Sequence, residues 1–246
     1  MGIKDILRRT GTYVSIRAID CASGFLINSH PEWNPRHWSN REILKYGNIY
    51  KGDVVNISAW KDGDKEGGRY RDYFPNAKSY TVTNFGSEME SSGYENEKEL
   101  DLSRPYSRDL GKYDLVFSHT VLEHVFQADV AIDNLCRLSR DTIMTVVPFI
   151  QVLHWRGNAY RDYWRYSPFA LQEIFEKRGF KTLYLSWNDD TPLMNVYLFH
   201  IASCRPDAYK DIFPVYREPD FLERAPGNVF NMSLWPKPEQ TSLKSV

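Results

Sequence analysis

Residues 113–125 change character midway, and that change limits what the chain can fold into. Tyr113-Asp114-Leu115-Val116-Phe117 ends in an apolar run suited to a strand covered on both faces. At Ser118 and His119 the chain turns polar, and from Leu122 through Val125, Phe126 and Val130 the apolar residues recur at helical spacing. A buried strand passing directly into a helix is half of a β-α unit of an open α/β sheet. Ligands of such sheets bind beyond the carboxyl ends of the strands. Ser118, His119, Glu123 and His124 therefore fall where a binding crevice is expected.

The rest of the chain supplies the partners of that unit. Strands are expected at 54–59, 80–83, weakly at 99–102, at 113–117 and at 142–147. A helix over 123–139, with Phe126, Val130, Leu135 and Leu138 inward, joins the last two. Ser167 is an N-cap candidate ahead of Pro168, Leu171, Ile174 and Phe175 give the next helix an apolar stripe, and Gly179 ends it. Residues 181–187 and 196–204 read as two further strands joined by the polar turn 188–192. Upstream, Ser39 and Glu42 form a capping-box pair, and Gly47 is the expected stop of that short helix. The expected organisation is an N-terminal cap over 1–50, one α/β domain over 51–204 and an extended Pro- and aromatic-rich tail over 205–246. Cap and tail are also the candidate surfaces for a homodimer.

Composition excludes several classes. The 246 residues carry a net charge of −1, which gives no general nucleic-acid surface. No apolar run reaches the ~18 residues of a membrane span. The start of the chain lacks a signal-peptide core and a myristoylation motif. Cys21, Cys136 and Cys204 are widely spaced and show no disulfide or metal-ligand pattern, so a reducing cytoplasm is the expected location. Aromatic residues make up 15% of the chain, several of them beside arginine, as in Arg69-Tyr70-Arg71 and Trp164-Arg165-Tyr166. Such neighbours can build planar pockets with polar rims for sugars or phosphates, or simply stack at the edge of a core.

The stretch 113–125, with its Leu-Glu-His-Val segment, resembles the fourth strand and following helix of class I S-adenosylmethionine-dependent methyltransferases, in particular the type 11-like group. Val147-Pro148-Phe149 with His154, and then Asp162-Tyr163-Trp164-Arg165-Tyr166-Ser167-Pro168 leading to Lys177-Arg178-Gly179-Phe180, are similar to that family's later motifs. Leu100-Asp101-Leu102 resembles the place where an acid approaches the adenine. The resemblance runs over residues 52–204. It implies a Rossmann-like sheet, mostly parallel with a C-terminal antiparallel pair, with S-adenosylmethionine as cofactor and a small-molecule acceptor. Relatives with the late motif often modify sugars or phosphorylated metabolites of surface-polysaccharide biosynthesis.

By that resemblance the cofactor-binding positions are Asn56, Ser58, Ala59, Trp60, Asn84, Asp101, Leu102, Ser118 and His119. The sequence departs from the family here. The two usual glycines align with Ser58 and Trp60, the usual acid before them with Asn56, and the usual acid at the end of the second strand with Asn84. Either residues 61–68 re-form the site with another geometry, or the domain keeps only the fold and acts as a non-catalytic methyltransferase-like subunit. Methyl transfer needs alignment and exclusion of water, and a hydroxyl acceptor also benefits from a general base. His119 and His154, on loops beyond strand ends, are the catalytic candidates. Tyr160, Arg161, Trp164, Arg165 and Tyr166 are the substrate-binding candidates. A metal held by His119, Glu123 and His154 is conceivable, but no spacing demands it, and none is expected.

Overall fold

The computed structural model describes residues 34–57, 59–86, 93–106, 110–151, 153–154, 157, 160–188 and 196–214. Ser58, the first part of the cap, most of the 188–192 turn and most of the tail lie outside these residues.

Within them, a helix α1 (Pro35–Gly47) leads into strands β1 (Asp53–Ile57), β2 (Ser79–Asn84), β3 (Glu97–Glu99) and β4 (Tyr113–His119). Helix α2 (Ala128–Leu138) runs into the long strand β5 (Ser139–Ile150), and α3 (Pro168–Glu176) precedes β6 (Lys181–Trp187) and β7 (Val196–Ser203). The sheet order is β3-β2-β1-β4-β5-β7-β6. All pairs are parallel from β3 to β5, while β7 is antiparallel to both β5 and β6. This is the Rossmann-like, mostly parallel sheet with a C-terminal antiparallel pair that the family resemblance implied.

Alternation along each strand divides the core in two. Val55, Ile57, Val116, Ile143 and Val147 face α2 and α3, meeting Ile132, Leu135, Leu171 and Phe175. Val54, Leu115, Phe117, Met144 and Val146 face the other way, into an aromatic layer with Ile43, Tyr46, Phe74, Tyr184, Phe199 and Phe213. On that second face α1 packs against β7.

Helix boundaries show where local signals were overruled. Asn34, not Ser39, caps α1, its side chain accepting from the Arg36 N–H with Pro35 at the first helical position. Glu42 does not close a capping box. It faces the sheet, buried, and accepts from the hydroxyls of Tyr184 (2.8 Å) and Ser186 (3.0 Å). Gly47 is the last residue of the helix, and its lack of a side chain serves close approach: a Cβ there would lie 2.0 Å from the Tyr73 carbonyl oxygen. Ser167 caps α3 as expected, accepting from the Ala170 N–H, and Gly179 takes a φ of +83° after its end. The helix expected from residue 123 begins only at Ala128; Leu122–His124 form a single 3-10 turn instead. The third strand pairs over 97–99 rather than 99–102.

Candidate functional site

The sheet order reverses between β1 and β4, the place where an open α/β sheet leaves a crevice at its carboxyl edge. A cavity of about 900 Å³ occupies that edge. Its volume is in the range of small-molecule sites. Of the candidates from sequence, Asn56, Ala59, Trp60, Asp101, Leu102, His119, His154, Tyr160 and Arg161 line it. Arg36, Lys65, Tyr70, His124, Gln151, Tyr163 and Tyr197 join them.

The wall after β1 is built on an unusual backbone. Trp60, Lys61 and Asp62 all have positive φ, at 39°, 62° and 57°. Three consecutive side-chain-bearing residues in the left-handed region are costly and persist only where surrounding contacts hold them. Here Asp62 is the hold. It is fully buried, and its carboxylate accepts from Asn56 Nδ2 (2.8 Å), Tyr80 OH (2.7 Å), Tyr94 OH (3.1 Å) and the Arg71 N–H (3.1 Å). Asn84 supports the same turn: its Oδ1 accepts from the Trp60 N–H at 3.2 Å and its Nδ2 donates to Glu97 at 2.6 Å. The chain thus makes, with ordinary residues pinned by a buried carboxylate, a turn that glycine would adopt without help. It also engages Asn84, a cofactor-binding candidate, with the Trp60 backbone and Glu97. Asn84 is buried behind the turn and does not border the cavity. Ser118 likewise lies buried below the cavity floor.

His119, at the end of β4, is clamped from both sides. Arg36 of α1 donates to its Nδ1 at 2.8 Å, to Tyr70 OH at 3.0 Å and to Thr120 Oγ1 at 3.0 Å. Ser39 donates its hydroxyl to the Arg36 carbonyl (2.9 Å), so its oxygen accepts from His119 Nε2–H at 2.8 Å. Both ring nitrogens are engaged, and the ring stacks on Tyr70 with centroids 5.2 Å apart. Burial and the Arg36 charge hold the imidazole well below its usual pKa, in the neutral form. A histidine whose lone pair already accepts from a guanidinium is a positioning group rather than a free base. Thr120, next in the chain, has φ +50°, strained for a β-branched residue at the cavity edge.

The opposite wall is a zipper between the 122–126 turn and the 160–166 stretch. The Glu123 carbonyl accepts from the N–H of Tyr163 (2.8 Å) and Trp164 (3.3 Å). Trp164 Nε1 donates to the carbonyls of Val125 and Phe126, and His124 Nδ1 donates to the Arg161 carbonyl at 2.7 Å. Arg165 is forked onto Asp162 at 2.5 and 2.7 Å and reaches the Gln151 carbonyl at 3.2 Å. Burial alone would raise the Asp162 carboxyl, but Arg165 and the His154 N–H bring it below the usual range. Trp164, Arg165 and Tyr166, expected on the substrate, are therefore spent on architecture and do not border the cavity; Tyr160 and Arg161 do. Phe126 and Phe85, both exposed, flank the mouth.

Behind this wall sits Glu123, with no exposed surface and neither carboxylate oxygen hydrogen-bonded. Burial raises its carboxyl to about 8. Its oxygen and one ring nitrogen each of His124 and His154 lie within 4.8 Å of one another.

Arg36 and Asp62 have no place among the residues expected from sequence, whereas Glu123 is expected at this edge. Asn34-Pro35 is a legible helix start that carries Arg36 toward the sheet edge. Nothing local marks Asp62, since its partners Tyr80 and Tyr94 come from remote segments.

No family model and no curated protein sequence matches the chain. Solved structures do resemble it. A S-adenosylmethionine-dependent methyltransferase from Clostridium acetobutylicum superposes with a TM-score of 0.51 at 10% identity, over 76% of this chain and 98% of that one. A magnesium protoporphyrin IX methyltransferase from Synechocystis, with S-adenosylhomocysteine bound, gives 0.49 at 14% identity over 68% and 82%. A 1,6-didemethyltoxoflavin-N1-methyltransferase from Burkholderia thailandensis gives 0.47 at 13% over 78% and 89%. At these identities the likeness is one of fold alone: a mostly parallel, Rossmann-like sheet ending in an antiparallel pair, similar to that of the Clostridium acetobutylicum structure.

Proposed function

We propose that the chain is a methyltransferase that binds S-adenosylmethionine in the cavity at the β1–β4 edge and acts on a small polar acceptor, a sugar or a phosphorylated metabolite. The observation that carries this reading is the cavity itself, at the strand-order reversal of a methyltransferase sheet, with Asp101 and Leu102 on its rim. The residues suit the cofactor. Asp101, whose Oδ1 accepts from Ser103 N–H and Oγ and whose Oδ2 lies 3.3 Å from the exposed Arg104 Nε, keeps lone pairs on both oxygens for an amine or hydroxyl donor. Arg36 and Lys65 offer cations for a carboxylate, and Leu100, Leu102 and Val121 an apolar surface for a purine. The cofactor, when bound, supplies an electrophilic methyl group on a sulfonium.

The chain's own part is placement. The clamped His119 fixes Thr120 and the β4 edge. Arg161 and Tyr160 hold the acceptor, through ion pairing and ring stacking. His154, half-buried on the acceptor side, is positioned to take a proton from an acceptor hydroxyl. A second reading, a non-catalytic subunit that keeps only the fold, draws on Trp60, which stands where the family has a glycine, and on Asn84, which does not border the cavity.

Calorimetric titration of the full chain with S-adenosylmethionine and S-adenosylhomocysteine separates the two. The methyltransferase reading expects micromolar binding, weakened about tenfold or more in Asp101→Ala, a loss of about 1.4 kcal/mol. Absence of binding at millimolar ligand would establish the subunit reading instead.

A further inference from the structure

The three side chains at the base of the acceptor wall have a property that methyl transfer alone does not explain. Glu123 is a fully buried carboxylate with both oxygens unpartnered. A buried carboxyl left without a donor is costly, and such groups are normally paired or coordinate a metal. No arginine or lysine reaches it within ion-pair distance among the described residues; the neighbour that does is His124, whose Nε2 lies 3.7 Å from Glu123 Oε1. His124 has spent Nδ1 on the Arg161 carbonyl, which leaves Nε2 with its lone pair toward the carboxylate. His154 closes the triangle, its ring nearly perpendicular to that of His124 with centroids 4.9 Å apart.

We propose that Glu123, His124 and His154 form a divalent-metal site, taking a borderline first-row ion such as Zn²⁺ or Co²⁺, whose open positions face the cavity and hold an oxygen of the acceptor. Two imidazoles and one carboxylate are a donor set that suits such ions and leaves coordination positions free. The three donor atoms lie within 4.8 Å of one another, so shifts of about 1 Å bring them to the ~2.1 Å bonds of a Zn²⁺ or Co²⁺ shell. The surroundings add the outer support such sites carry. The Arg161 carbonyl orients His124. Asp162 Oδ2 lies 3.0 Å from His154 Nδ1 and accepts from its backbone N–H at 2.8 Å, while Arg165 holds Asp162 in place. His124 and His154 both border the cavity, which gives the ion a route in. With the ion bound, His154 is a ligand and no longer a base. The ion's role on the acceptor rests on the methyltransferase reading; its binding does not.

The test is titration of the chelator-stripped full chain with Zn²⁺ followed by calorimetry, and with Co²⁺ followed by its visible d–d absorption, with no cofactor present. One equivalent bound, with imidazole-type Co²⁺ bands and a metal-dependent rise in Tm, is expected. His154→Ala and the near-isosteric Glu123→Gln each lose the stoichiometric binding, whereas His37→Ala, at a histidine paired with Glu66 elsewhere, retains it. Absence of a bound equivalent in the unaltered chain, or binding that survives both Glu123→Gln and His154→Ala, overturns the site. Because S-adenosylmethionine binding is read separately, a chain that binds metal but not cofactor keeps this inference and loses the methyltransferase reading, and the converse result does the reverse.

Discussion

The two walls of the cavity solve the problem of buried charge in opposite ways. On the β1–β4 side the buried acid and the buried histidine are closed on their neighbours: Asp62 has four donors, and His119 is gripped by Arg36 and Ser39. On the acceptor side the backbone is tightly zipped, yet Glu123 at its base has no donor at all. A satisfied polar network rigidifies a wall, and an unsatisfied one marks where something else belongs. The first wall shapes a pocket; the second is built to receive charge.

The largest expected effect that sharpens this contrast is at Asp62. Asp62→Ala removes the acceptor shared by Asn56, Tyr80, Tyr94 and Arg71, and frees a turn with three residues at positive φ. Urea unfolding should show a loss of about 3–4 kcal/mol. A loss below about 1 kcal/mol would mean the turn holds itself and the first wall is not a closed network. Arg36→Ala comes next, at about 2 kcal/mol, because it strips Tyr70, His119 and Thr120 of one shared donor group.

The pH dependence of that wall has a fixed sign. His119 is held neutral, well below its usual pKa, and His200, fully buried, is lowered to about 3 by burial. A histidine whose folded pKa is depressed contributes stability that is intact above about 6.5 and is lost as pH falls toward the folded value. Each such group should steepen acid destabilisation by about 1.4 kcal/mol per pH unit below 6.5. Denaturant midpoints between pH 7 and 5 should show a shallower slope in His119→Gln than in the unaltered chain. Equal slopes would show that His119 already titrates normally and that the clamp is loose.

The smallest effect discriminates between neighbours on the second wall. Arg161→Ala should raise the KM for an anionic acceptor about tenfold with kcat nearly unchanged, the signature of lost uniform binding. Arg165→Ala should instead lower Tm, since it unpairs the buried Asp162, with its KM effect secondary. The opposite pattern would return Arg165 to the substrate.

Much of the fold was legible locally. The apolar runs at 113–117 and 142–147, Pro168 behind Ser167 and Gly179 after the helix each carry their own stereochemical reason, and the structure keeps them. What failed did so where long-range contacts outweighed local preference. Ser39 and Glu42 look like a capping box, but Ser39 is wanted by His119 and Glu42 by Tyr184 and Ser186. The helix expected from Glu123 yields to a 3-10 turn whose carbonyls serve the 160–166 stretch. Of the candidate site, Asn56, Ala59, Trp60, Asp101, Leu102, His119, His154, Tyr160 and Arg161 border the cavity, while Asn84, Trp164, Arg165 and Tyr166 do not.

By itself, then, the sequence determined a doubly covered α/β sheet and the edge that carries its cavity, because strand burial and helix caps are written in neighbouring residues. The tertiary structure alone decided which charges are spent and which are left over. Asp62 and Glu123 are both buried acids, and only the segments that fold around them, Tyr80 and Tyr94 for one and His124 and His154 for the other, distinguish a structural hub from an unpaired carboxyl behind a cavity wall.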